Sequence, residues 1–173
     1  MASIEFIVDE NTVNALISIL VCVLPYFEKT RSYDNIILNE FIRLEDFYKD
    51  KLLYLTNRGS MYRLDKCMHS IACILKNSKS EEFFNSNDLD MIVSIALREL
   101  GTPNATRARV HTLRVLNLIL DHPTYLDYYR GRLSDFNTTL EDQILLEDPK
   151  SAYSHKERVE ISALNSKLMA LCD

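Results

Sequence analysis

Apolar residues return every three or four positions in one segment of this chain after another, and no strand-like alternation competes with that step. Steps of three and four place side chains on one face of an α-helix, whereas alternation would mark a half-buried strand. The periodicity therefore restricts the fold to helices packed on helices. The supply of turn residues agrees, because three glycines and four prolines in 173 residues are few for a sheet protein. The clearest segment is 83–120. It reads Phe83-Phe84, then Asn87-Asp88-Leu89, an apolar helix ending Arg98-Glu99-Leu100, then Gly101 and a polar gap. A second helix follows through Arg109 and Leu113-Arg114-Val115-Leu116 to Leu120.

The same reasoning places the other helices. Asn11 or Thr12 caps a first helix with Val13, Leu16, Ile17, Leu20 and Leu24 on one side. Ile19 and Val23 on its other face predict burial nearly all round, and Pro25 kinks or ends it. A second helix, 34–55, carries Ile37, Phe41, Leu44, Tyr48, Leu52 and Leu55. Ser60 is the expected cap of a third, with Leu64, Cys67, Met68, Ile71, Ile74 and Leu75 inward. Ser86 or Asn87 caps a fourth, with Met91, Ile92, Ile95, Ala96 and Leu100 as its stripe and Gly101 as its left-handed stop.

Thr102-Pro103 suits the start of a fifth helix, which is apolar on most sides near its end (Val110, Leu113, Val115, Leu116, Leu118, Ile119, Leu120) and so reads as central and enclosed. Asp121-His122-Pro123 stops it. A short tyrosine-rich helix, 124–130, and two more at 135–146 and 154–171 complete the chain. Val159, Ile161, Leu164, Leu168 and Leu171 form the inner face of the last. About seven helices with short connections fit a closed bundle or a helix-pair solenoid. No consensus repeats at the period of about 40 residues expected of such solenoids. One domain, 1–173, is the expectation at this length.

The net charge of −5 makes the whole chain a poor match for nucleic acid or an anionic membrane. Between Arg98 and Arg132, however, six arginines face three acids, and 135–148 holds five acids and no base. Such segments usually form solvated surface, while an arginine-rich face also suits protein docking. Cys22, Cys67, Cys73 and Cys172 are scattered through apolar patterns, as reduced buried cysteines are. The N-terminus has acids where a signal peptide needs bases, and 13–24 is too short to span a bilayer.

No catalytic set emerges. Phosphate-cradling glycine loops and nucleophile elbows are absent. His69 and Cys73, four apart, share a helix face and could supply two metal ligands, but without a second pair nearby packing is the better reading. Glu45-Asp46 and Glu81-Glu82 are adjacent pairs, which diverge by about 100° on a helix and read as solvated surface. Tyr125, Tyr128 and Tyr129 beside Arg130 and Arg132 could stack nucleobases, but no basic groove accompanies them and the flanking chain is acidic; for two of the three the expected role is semi-buried packing with the hydroxyl at the surface. Neither an enzyme, a cofactor nor a metal is expected.

The segment 83–120 resembles the helical domain of the WISH/DIP family, the NCK-interacting protein with a Src-homology domain in animals and its shorter fungal relatives. In that family an aromatic pair precedes Asn-Asp-Leu, the next helix ends Arg-Glu-Leu, and a later one carries Leu-Arg-Val-Leu. Here these are Phe83-Phe84, Asn87-Asp88-Leu89, Arg98-Glu99-Leu100 and Leu113-Arg114-Val115-Leu116. The helix through Ile71-Ala72-Cys73-Ile74-Leu75 is similar too. Thr112 stands where the family pattern has an aromatic residue, and the chain is short for the family, as a fragment of a longer one would be.

The resemblance implies an all-α, armadillo/HEAT-like helical array that binds the actin-related protein 2/3 complex and activates it without a preformed filament, seeding linear actin filaments. It further implies a cytoplasmic place in the cortical actin cytoskeleton, at endocytic patches, with no nucleic-acid binding and no membrane insertion. Most motif residues read as core, with Arg98, Glu99 and Arg114 in internal ion pairs. Arg107, Arg109, Arg130 and Arg132 are the candidate partner-binding surface. The alternative reading is a generic helical-repeat adaptor that binds a peptide or helix and is unrelated to actin.

Overall fold

The structure, a computed structural model, describes residues 45–58, 61–76, 83–100, 108–125 and 154–172, together with Thr12, Ala15, Ile19, Phe136 and Thr138. Among these residues five helices stand out and no strand occurs: α1 (Glu45–Arg58), α2 (Met61–Leu75), α3 (Ser86–Leu100), α4 (Arg109–Ile119) and α5 (His155–Cys172). They form an all-α array. α4 lies at its centre, packed against α2, α3 and α5, and α1 closes the far side against α2 and α3.

The expected stripes become one core. Leu52 and Leu55 of α1 are buried, as are Leu64, Cys67, Met68, Ile71 and Ile74 of α2 and Ile92, Ile95 and Ala96 of α3. Leu113, Val115, Leu116 and Ile119 of α4 are fully enclosed, which bears out the reading of this helix as central. Tyr48, Leu75, Met91 and Leu100 are partly buried against the same core. α1 also runs one turn beyond Leu55. Thr56 sits buried in that turn, where its hydroxyl donates to the Leu52 carbonyl at 2.7 Å and so satisfies itself within the helix.

Two helix starts are built alike. Asn85 caps α3: its Oδ1 accepts from the Asp88 amide, and Asp88 Oδ2 accepts from the Asn85 amide, both at 3.0 Å. This reciprocal capping box satisfies two backbone donors that the helix cannot. The cap thus falls one residue before the expected Ser86 or Asn87. Phe84 and Leu89 then occupy the flanking staple positions in the core, and Phe83 meets Phe84 edge to face at 4.8 Å. At α5, Ser154 and Glu157 repeat the box: the Ser154 amide donates to Glu157 Oε2 at 2.6 Å, and the Glu157 amide to Ser154 Oγ at 3.3 Å.

Other expectations are corrected. α4 begins at Arg109 with Ala108 at its cap, and its buried Thr112 donates to the Ala108 carbonyl at 2.9 Å. Thr102-Pro103 and Gly101 lie outside the described residues, as do the cap at Ser60, most of 13–44 and most of 126–153. Thr12, Ala15 and Ile19 are helical and exposed, with Ile19 at 58%, so the first helix shows a face to solvent instead of being buried all round. In α5 the inward stripe is Glu157, Ile161, Leu164 and Leu168, a four-three-four step. Val159 stands two residues from Ile161, about 200° around the helix, and is 54% exposed instead of core.

Candidate partner-binding surface

Of the four arginines of the expected face, only Arg109 is among the described residues. Arg107, Arg130 and Arg132 lie outside the described residues. Arg109 is only 7% exposed and is not a surface group. Its Nη1 lies 3.8 Å from Glu157 Oε1 in the seam between α4 and α5. Glu157 thus serves twice, one carboxylate oxygen holding the α5 cap and the other facing the buried guanidinium. A buried charge persists where it is paired, and removal of the acid would take from the guanidinium its carboxylate partner on α5.

The seam continues along α4. Arg114 Nε donates to Glu160 Oε1 at 3.0 Å, and Asn117 Nδ2 donates to the Glu160 carbonyl at 2.9 Å and to its Oε2 at 3.2 Å. Lys167 Nζ reaches Asp121 Oδ2 at 2.6 Å and the Asn117 carbonyl at 2.7 Å. Arg114 is therefore internally paired, as expected. Arg98 is paired too, but at the surface: its Nη2 lies 3.2 Å from Glu99 Oε1 and its Nη1 donates to Asn57 of α1 at 3.3 Å. Lys49 and Asp88, 3.6 Å apart, make a second tie between α1 and α3.

Two clusters outside the expected site stand out, one formed along a single helix and one where helices cross. Tyr54 is exposed on α1, with Lys51 and Arg58 near its ring, their charged centres 6.0 and 5.8 Å from its centroid. A cleft of about 710 Å3 also opens where the first turns of α5 cross α2 and α4. His69 of α2 stacks on His111 of α4 there, with centroids 4.0 Å apart and planes 14° from parallel. His111 Nε2 lies 3.8 Å from Asp65 Oδ1, and His155, Lys156 and Glu160 form the α5 wall. The pairing of His69 with Cys73 as metal ligands is not what forms. Cys73 is buried, and no group of three or more His, Cys, Asp or Glu among the described residues is placed to hold a metal ion.

Tyr125 belongs to the core. It is fully buried, edge-on to Phe136 with centroids 6.2 Å apart, so it has no exposed face on which a base could stack. Tyr128 and Tyr129 lie outside the described residues. No helix among the described residues is long and apolar enough to cross a membrane.

A family model, the SPIN90/Ldb17 leucine-rich domain, matches residues 9–133, more than two thirds of the chain. The chain belongs to the SPIN90/Ldb17 leucine-rich domain family. This family is related to the WISH/DIP proteins that the motifs of 83–120 resemble, and it is linked to actin-related functions. No curated protein and no solved structure matches the chain. The family segment takes in α1 to α4, and its leucines at 52, 53, 55, 64, 89, 113, 116 and 120 are buried in the core. α5 follows the matched segment in sequence yet packs directly on its central helix.

Proposed function

We propose that this chain binds the actin-related protein 2/3 complex and activates it without a preformed filament, so that the complex seeds linear actin filaments. The family match over residues 9–133 carries this reading, and the Phe83–Leu120 motifs support it. The role asks for a stiff binding scaffold more than for chemistry. A helical array whose central helix is enclosed on three sides supplies one. Activation would be a population shift, the array binding the active conformation of the complex better than the inactive one. The place of action is the cytoplasm, at the cortical actin cytoskeleton and its endocytic patches. The armadillo-like pairing of helices belongs to the same reading.

Of the docking arginines, Arg107, Arg130 and Arg132 remain candidates, while Arg109 acts through the α4–α5 seam. The test is assembly of pyrene-labelled actin with the complex and no filament seeds. The chain should shorten the lag in the presence of the complex and leave it unchanged without it. Charge reversal at Arg130 and Arg132 should lengthen the lag again while leaving thermal stability intact. Absence of any effect at micromolar concentration, with a different dominant partner recovered in pull-downs, would favour a helical adaptor unrelated to actin.

A further inference from the structure

α5 lies on α4 in the way a helix from another chain would. The two run in the same direction: Glu157 faces Arg109, Glu160 meets Arg114 and Asn117, and Lys167 reaches Asp121. Arg109, Leu113 and Asn117 follow a four-residue step and so share one face of α4. α5 covers that face with two acids and then Ile161, Leu164 and Leu168, the stripe of an amphipathic helix docked in a groove. The fit is incomplete. Arg109 and Glu157, 3.8 Å apart, are beyond hydrogen-bond distance. Asn117 is only 5% exposed, and its Nδ2 donates to Glu160, but Oδ1 of the same carboxamide has no donor. A buried acceptor left unmet costs free energy that another occupant, one with a donor there, recovers. Among the described helices α5 packs chiefly on α4, and Val159 and Met169 stand exposed on its outer side.

We propose that the α4 face beneath α5 is a docking seat for an acidic amphipathic helix of a partner protein, and that α5 fills it as a displaceable strap. The partner helix carries acids where α5 has Glu157 and Glu160, aliphatic side chains where it has Ile161, Leu164 and Leu168, and a donor for Asn117 Oδ1. Apolar contact supplies the affinity, and the guanidiniums of Arg109 and Arg114 select against a basic helix. Competition supplies the regulation. A helix tethered in the same chain acts at a high effective concentration, so a partner engages when it binds more tightly or when α5 is weakened. The segment 9–133 that matches the family contains the seat and stops short of the strap. The proposed actin role does not depend on the strap, and either can fail alone.

Hydrogen–deuterium exchange of the full chain, read by mass spectrometry, tests the strap. Amides of α5 should exchange about a hundredfold or more faster than those of α4, because α5 opens without unfolding the core. Lys167→Ala should speed α5 about threefold further and leave α4 unchanged. Fluorescence anisotropy tests the seat, with a labelled peptide of the sequence 154–172 added to the full chain. The peptide should bind the Glu157→Ala, Glu160→Ala double variant about tenfold or more tightly than the unaltered chain, since the resident helix is weakened. Where the double variant loses its fold, Lys167→Ala, which keeps both acids, should raise peptide binding about threefold instead. The same peptide with Glu157→Lys and Glu160→Lys should bind none of these chains. Protection of α5 equal to that of α4 would overturn the proposal, since the helix would then leave only when the whole array unfolds. Equal binding of the two peptides would overturn it as well, showing attraction without a site.

Discussion

α4 and α5 lie side by side and are held in different ways. α4 is surrounded: four of its apolar residues have no exposed surface, and helices cover it on three sides. α5 touches that helix through a narrow stripe, Ile161, Leu164 and Leu168, and leaves Met169 72% exposed. What α5 lacks in apolar area it makes up in directed contacts, with Glu157, Glu160 and Lys167 each engaging α4 or the turn that follows it. Apolar burial fixes where a helix can lie only loosely, since it is non-directional. Polar contacts fix its register and are sensitive to the loss of one partner. The inner helix sets stability, and the outer one is positioned.

This contrast breaks first if the two helices respond alike to truncation. Leu113→Ala or Leu116→Ala should cost about 3–5 kcal/mol of unfolding free energy, because each opens a cavity at an enclosed site. Chemical denaturation should show the loss as a lower midpoint with an unchanged slope. Glu157→Ala should come next, at about 3 kcal/mol, since it takes the facing carboxylate from buried Arg109 and removes half of a capping box. Glu157→Gln sharpens this result: an amide can keep the cap hydrogen bond but not the charge, so it should recover only part of the loss. Asn85→Ala should cost about 1 kcal/mol as a lost N-cap. Lys167→Ala should cost under about 1 kcal/mol, its pairing with exposed Asp121 being screened by water. A Lys167 effect as large as that of Leu113 would contradict the division between the two helices.

Much of this division was legible from spacing alone. The core faces of α2, α3 and α4 follow from the three-four step, because burial there depends on each helix's own pattern. The cap of α3 was missed by one residue, since Asn85, Ser86 and Asn87 are all good N-caps and only the reciprocal bond to Asp88 separates them. Arg109 was misplaced for another reason. An arginine reads as surface unless its acid is known, and Glu157 lies on a different helix far along the chain. Ser-x-x-Glu at residues 154–157 is a capping-box pattern, but nothing in it says that the glutamate also faces an arginine. The histidine cleft was invisible for the same cause, because His69, His111 and His155 meet only when three helices pack.

In the proposed role the chain turns the actin-related protein 2/3 complex into a seed for unbranched filaments. Single-filament imaging with labelled complex tests it most directly, in a flow cell that contains no preformed filaments. New linear filaments should appear, each with the complex at one end, in numbers that rise with the concentration of the chain. Filaments that appear at the same rate without the chain, or that arise only as branches on existing ones, would contradict it.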